Sequence, residues 1–171
     1  NSGINSNEFH KNARLIPQDI PLGPPYQLDS SFDALFFVGQ HAMAGTEAAP
    51  LSHTYSSKTV EYYKLNGQLI GEFGCRAAMA GNMNIPTVFI SGDDKAVVEA
   101  KLLIPNIYSV NTKQGLAREQ AIQISPQLSC ELIKKISSEA CKNISIIQPY
   151  KISPPYELEI KVYEGVDISW Y

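Results

Sequence analysis

Five consecutive apolar residues, Ala34 to Val38, stand between Asp33 and Gly39. A surface helix or a half-exposed strand interrupts such a run with polar residues at its own period. A short unbroken run bounded by polar residues reads as a strand covered on both faces. Pro86-Thr-Val-Phe-Ile-Ser91 gives the same signal further along. Doubly covered strands belong to parallel sheets with helices packed on them. The helices are legible too. Gly71 to Gly81 is rich in small residues and reads as a helix packed closely on its neighbours. Gly92-Asp93-Asp94 ends the second strand and starts a helix to about Leu103, with Asp93 as its cap and acids in its first turn. Ser125-Pro126 starts a third, Ser as N-cap and Pro at the first helical position. In it, Leu128, Leu132, Ile136 and Ala140 recur every four residues as a core stripe that ends near Asn143. The expected fold is α/β, with a largely parallel sheet flanked by helices.

An antiparallel element is inserted in that plan. Thr59–Leu65 and Gln68–Ile70 flank Asn66-Gly67, the strongest short signal for a β-hairpin. Asn106–Val110 reads as a short strand, and Leu158–Tyr163 alternates like a half-buried one. Residues 1–32 look irregular, punctuated by Pro17, Pro21, Pro24 and Pro25. Leu15-Ile16 and Ile20 are candidate anchors there, and Pro24-Pro25-Tyr26 a candidate extended connector.

Composition narrows the class. A chain of 171 residues fits one α/β domain, residues 1–171, or a large piece of one. Its formal net charge of −3 argues against a nucleic-acid partner, which needs a basic footprint. No apolar run approaches the ~18 residues of a membrane helix, and no basic-then-apolar leader opens the chain. Cys75, Cys130 and Cys141 are too few and odd in number for a disulfide framework, lack C-x-x-C spacing, and read as core thiols. Asn143-Ile144-Ser145 then reads as a chance sequon, and the expected location is cytoplasmic.

The chemistry-bearing candidates gather after the first strand. His41 lies just beyond its carboxyl end, where open α/β sheets bind ligands. There it suits metal ligation or proton handling; the plain alternative is a loop histidine bonded to nearby backbone. His53, in Leu51-Ser52-His53-Thr54-Tyr55, closes the same small-residue loop, so two of three histidines flank one loop. Ser52 beside it suggests a Ser/His hydrolase, but no G-x-S-x-G elbow exists to present a nucleophile. Glu72 opens the helix after the hairpin. Judged alone, it is a favourable charge at a helix N-terminus. With two histidines it completes a common zinc set. Asp93 and Asp94 read as helix capping before they read as a carboxylate pair. Lys113 and Arg118 straddle Gly115, either facing an anionic group or on a solvated turn.

Several segments then occur in one order: Gly39-Gln-His-Ala-Met-Ala-Gly45, Leu51-Ser-His-Thr-Tyr55, Asn66-Gly67 with Gly71-Glu-Phe-Gly74, Pro86 through Gly92-Asp-Asp94, Glu99-Ala100 with Leu102 through Pro105, and Ser125-Pro126. The series resembles the DppA-type zinc-dependent D-aminopeptidases, from roughly residue 14 to 145. That resemblance implies a metallopeptidase that releases N-terminal D-amino acids, typically D-Ala, from short peptides, with a two-zinc site and a homo-oligomeric assembly. It matches His41 and Glu72 to metal ligands and His53 to a catalytic histidine, which raises Glu72 most.

The resemblance also implies an Asp-x-Glu pair at the end of a first strand and an Asp-x-His-type motif after the next, and this chain contains neither. His10, in Phe9-His10-Lys11-Asn12, matches a stretch without ligands. A two-metal site needs bridging carboxylates and several ligands per ion. The expectation is therefore an incomplete domain, the central and larger part of a longer enzyme. Its remainder would sit in a complementary N-terminal chain or have been removed by truncation. The competing expectation is a non-catalytic binding or assembly subunit with the same core.

Overall fold

The computed structural model describes residues 8–16, 27–167 and 169. Pro17, Ile20, Pro21 and the Pro24-Pro25-Tyr26 connector lie outside the described residues. Leu15 and Ile16 are both exposed, so neither anchors the segment to the core as the sequence suggested.

Strands β1 (Leu35–Gln40), β4 (Thr87–Asp93) and β5 (Tyr108–Ala117) form the parallel part of a four-stranded sheet, and β6 (Gln120–Gln123) adds antiparallel to β5. All seven residues of β4 are buried, as its unbroken apolar run requires at the centre of a covered sheet. Helices α1 (Glu72–Asn82), α2 (Asp94–Leu103) and α3 (Pro126–Lys142) pack on it: α1 against β1 and β4, α2 and α3 against β4 and β5. Aromatic contacts lock the first layer, with the Phe37 and Phe73 ring centroids 4.8 Å apart between β1 and α1. The α/β architecture with a largely parallel sheet is as the sequence pattern indicated.

The helix starts follow from their caps. Asp93 accepts hydrogen bonds from the N–H groups of Lys95 (2.9 Å) and Ala96 (3.0 Å), and Ser125 Oγ accepts from Leu128 N–H at 3.2 Å with Pro126 beside it. The stripe on α3 is shifted from its expected line. Ala140 is fully buried and Leu132, Ile133 and Ile136 pack against the core, but Leu128 is 42% exposed. Cys130 and Cys141 on the same helix are exposed, which corrects their reading as core thiols; Cys75 is partly buried.

The hairpin falls where Asn66-Gly67 placed it. β2 (Val60–Leu65) and β3 (Gln68–Leu69) join through φ values of 51° and 77° at those residues, both positive as a type I′ turn needs. Its other partner was not legible. β7 (Leu158–Val162) pairs antiparallel with β2, so the hairpin is part of a separate sheet of order β3-β2-β7. Strand β5 also runs seven residues past the expected end at Val110, and turns back through Arg118-Glu119 into β6. That turn lacks Gly and Asn, and β6 is exposed along its length, so neither carried a sequence signal. No helix among the described residues is long and apolar enough to cross a membrane.

Candidate metal centre

The loop from residue 41 to 59 leaves β1 at its carboxyl edge and is pressed into the molecule rather than laid over it. Ala42, Ala49 and Thr54 are essentially inaccessible. Its path needs left-handed backbone at three non-glycine residues: Ala48 (φ 51°), Leu51 (φ 55°) and Tyr55 (φ 57°). Each costs about 1–2 kcal/mol, so surrounding contacts must hold the loop in place. Those contacts are visible. Arg118 donates from Nη1 to the Ser52 carbonyl at 3.1 Å, and Leu51 N–H donates to the Arg118 carbonyl at 2.7 Å. Gly115 abuts the loop so closely that a Cβ there would lie 2.1 Å from the Ala48 carbonyl oxygen. The unforeseen β5–β6 hairpin is thus the clamp on the His53 arm. Arg118 is a loop anchor here, and Lys113 instead lines a shallow cavity of about 350 Å³ with Asp94 and Gln123.

Within this frame His41, His53 and Glu72 converge. His41 Nε2 lies 3.6 Å and His53 Nε2 3.8 Å from Glu72 Oε1, and the imidazoles stack with centroids 3.8 Å apart. All three offer a ligand atom within 4.8 Å of the others. Each is partly buried, at 25%, 28% and 16% side-chain exposure, so the group is walled by protein but open to a small ligand. His10 takes no part; its Nδ1 accepts from Asn12 N–H on the surface.

The tautomers follow from the backbone. His41 Nδ1 faces the Ala42 carbonyl at 3.0 Å and His53 Nδ1 faces the Leu51 carbonyl at 2.7 Å. A carbonyl only accepts, so each Nδ1 carries the proton. In the neutral rings both Nε2 lone pairs then point towards a carboxylate oxygen. That arrangement is repulsive unless something positive lies between them. Glu72 is itself held: Oε1 accepts from Tyr55 N–H at 2.7 Å, and the residue is the first of α1 after the Gly71 cap. Two imidazole nitrogens and a carboxylate are a zinc donor set, and tetrahedral bonds of ~2.0–2.1 Å place neighbouring donors roughly 3.3 Å apart. The observed separations need only small closure to meet that geometry.

The other candidates resolve simply. Ser52 is buried and donates to the Thr46 carbonyl, which gives the Ser/His pairing no support. Asp94 accepts from Gly115 N–H at 2.8 Å and pairs with Lys95, so it ties α2 to β5. Burial pushes the Cys75 thiol up, which keeps it protonated and poorly nucleophilic.

One residue was given no role by the sequence reading. Glu99 on α2 is 7% exposed, and burial raises its carboxyl from 4.5 to about 7 against the opposing Met43 N–H bond. Nothing in its helical spacing marked it; only the fold brings Met43 and Gly71 against it. Because the folded state holds this proton more tightly than the unfolded chain does, stability falls as pH rises from about 4.5 to about 7 and stays lower above. Glu99→Gln removes that penalty while keeping an acceptor. It is expected to melt several °C above the parent at pH 8 and to match it near pH 4, a crossover that paired thermal melts would show.

Comparison with known proteins gives this geometry a context. A sequence profile described as D-aminopeptidase matches residues 2–168. A D-aminopeptidase of Bacillus subtilis (strain 168) is 32% identical over 149 residues, covering 86% of this chain and 53% of the relative. The chain therefore spans about half the length of that curated relative. The solved structure of the "Zn-dependent D-aminopeptidase DppA from Bacillus subtilis, a self-compartmentalizing protease" superposes with a TM-score of 0.85 at 30% identity, over 92% of this chain and 57% of the other. Profile, sequence and fold agree across nearly all of these residues, and the chain belongs to the D-aminopeptidase family.

Proposed function

We propose that this chain forms the metal-binding part of a zinc-dependent aminopeptidase that releases N-terminal D-amino acids, D-Ala above all, from short peptides. The observation that carries the proposal is the convergence of the His41 and His53 Nε2 atoms on the Glu72 carboxylate, with each Nδ1 turned to a backbone carbonyl. His41 and Glu72 hold the ion. Zinc, when bound, polarises a carbonyl and brings the pKa of a water ligand towards neutrality. His53 stacks on His41 and presents Nε2 to the same space, where it takes up or returns a proton, or donates to a developing oxyanion. A second ion needs donors beyond these three side chains. The self-compartmentalizing description of the matched structure supports a homo-oligomer for this protein as well.

The test is release of D-Ala from D-Ala-D-Ala, with L-Ala-L-Ala as control, on zinc-loaded protein. His53→Ala is expected to lower kcat by about 10²-fold or more while zinc remains bound. Unchanged turnover would remove His53 from the chemistry. Absence of turnover and of metal, even with the remaining portion of a full-length relative supplied, would favour the binding or assembly subunit.

A further inference from the structure

Glu99 touches both arms of the metal centre without belonging to it. Its Oε2 accepts from Met43 N–H at 2.8 Å, two residues beyond His41. Its Oε1 lies against Gly71, the residue before Glu72; a Cβ built on Gly71 would fall 2.5 Å from that oxygen and 2.6 Å from Met43 Cβ. Glycine is required there because the carboxylate and Met43 already fill the space. The Met43 segment in turn organises the histidines. The Ala42 carbonyl accepts from His41 Nδ1 and, at 3.2 Å, from His53 N–H, and Ala44 N–H donates to Thr54 Oγ1 at 3.1 Å. A path of direct contacts therefore runs from α2 through Glu99 to the peptide that sets both imidazoles, and to the helix start that carries Glu72.

We infer that Glu99 is a positioning residue for the metal centre: by fixing Met43 N–H and packing on Gly71, it sets the separation of His41 and His53 from Glu72. The inference rests on the metal reading proposed above. It does not require Glu99 to be charged, since a neutral acceptor of the same shape fills the same place. Glu99 also borders an otherwise largely apolar cavity of about 390 Å³ with Leu69, Leu102, Leu103 and Tyr150, and the described residues that line it include no Lys, Arg or His to pair with the carboxylate.

The experiment compares Glu99→Gln, Glu99→Ala and Val88→Ala. Val88 is fully buried in β4, and its truncation is destabilising without removing a hydrogen bond to the site. Zinc affinity is measured by competition with a chelating dye on folded protein. Glu99→Ala is expected to weaken binding by about 10–100-fold, the usual effect of removing a group that orients ligands. Glu99→Gln and Val88→Ala are expected to stay within about threefold of the parent. Equal affinity for Glu99→Ala and the parent would overturn the inference, as would an equal loss in Glu99→Ala and Val88→Ala. A second readout uses metal-free protein: the His41 and His53 ring proton shifts and the exchange rate of the Met43 amide. These should change in Glu99→Ala and not in Val88→Ala; unchanged shifts and exchange would overturn the inference. If the parent binds no zinc, the metal reading fails, and the inference is decided by this second readout alone.

Discussion

Glu72→Ala is expected to weaken zinc binding by more than about 10²-fold, beyond the loss typical of a residue that only orients a ligand. It removes the one anionic donor of the group and leaves His41 without the ligand that shares the ion with it. It also strips Tyr55 N–H of its acceptor in a loop whose left-handed backbone needs every tie. That loss costs about 1–3 kcal/mol in the metal-free protein, so Glu72→Ala should melt lower even without zinc. Glu72→Gln separates the two effects. Its amide oxygen still accepts from Tyr55 N–H, so metal-free stability should stay close to the parent while zinc affinity falls steeply. Calorimetric titration and thermal melts of both variants check this. Near-parental affinity in Glu72→Gln would mean that the carboxylate serves the loop alone.

Gly92→Ala is expected to destabilise the fold by about 3 kcal/mol or more, at the upper end of what overpacking costs. A Cβ on Gly92 would stand 2.1 Å from the Gln40 carbonyl oxygen and 3.1 Å from its carbon, on backbone that has no room to yield. Gln40 pairs with Gly92 in the β1–β4 register and directly precedes His41. Relief of the clash therefore moves the strand end that launches the site, and zinc affinity should fall along with stability. At ~2–4 °C per kcal/mol for a chain of this size, the melting point should drop by roughly 6–12 °C. Gly67→Ala supplies the contrast. Gly67 has open space around it and a φ of 77°, so its cost is confined to about 1–2 kcal/mol of backbone strain, with no effect on zinc.

The strands that build the site were readable from their apolar runs, although only β4 is covered on both faces; among the described residues β1 lies at the sheet edge and its Val38 is 69% exposed, which corrects the expectation for that strand. Ala34–Val38 and Pro86–Ser91 announced β1 and β4 almost to the residue. The Asn66-Gly67 turn was equally plain, because positive φ at both central positions admits few residues. What stayed hidden depends on partners distant in sequence. β7 carries an ordinary alternating pattern that does not name β2 as its neighbour. The β5–β6 turn at Arg118-Glu119 is closed by chain reversal and by its grip on Leu51 and Ser52, not by turn-forming residues. In the site, His41 and His53 stood out as two of three histidines at the ends of one loop. Glu72 judged alone read as a helix-start charge; the two histidines and the resemblance raised it to a metal ligand, and the fold places its Oε1 beside both Nε2 atoms. Glu99 stood in one of the segments that carry the resemblance, but nothing there gave it a role. A glutamate within a helix is unremarkable by residue type, and its significance lies in contacts to Met43 and Gly71 that only the fold creates.

The central claim is that His41, His53 and Glu72 form one metal centre. Equilibrium dialysis against zinc followed by elemental analysis tests it most directly, on the parent chain and on the variant combining His41→Ala, His53→Ala and Glu72→Ala. The account expects about one equivalent of zinc per parent chain and essentially none in the variant. Equal zinc in both, or none in either, would contradict it.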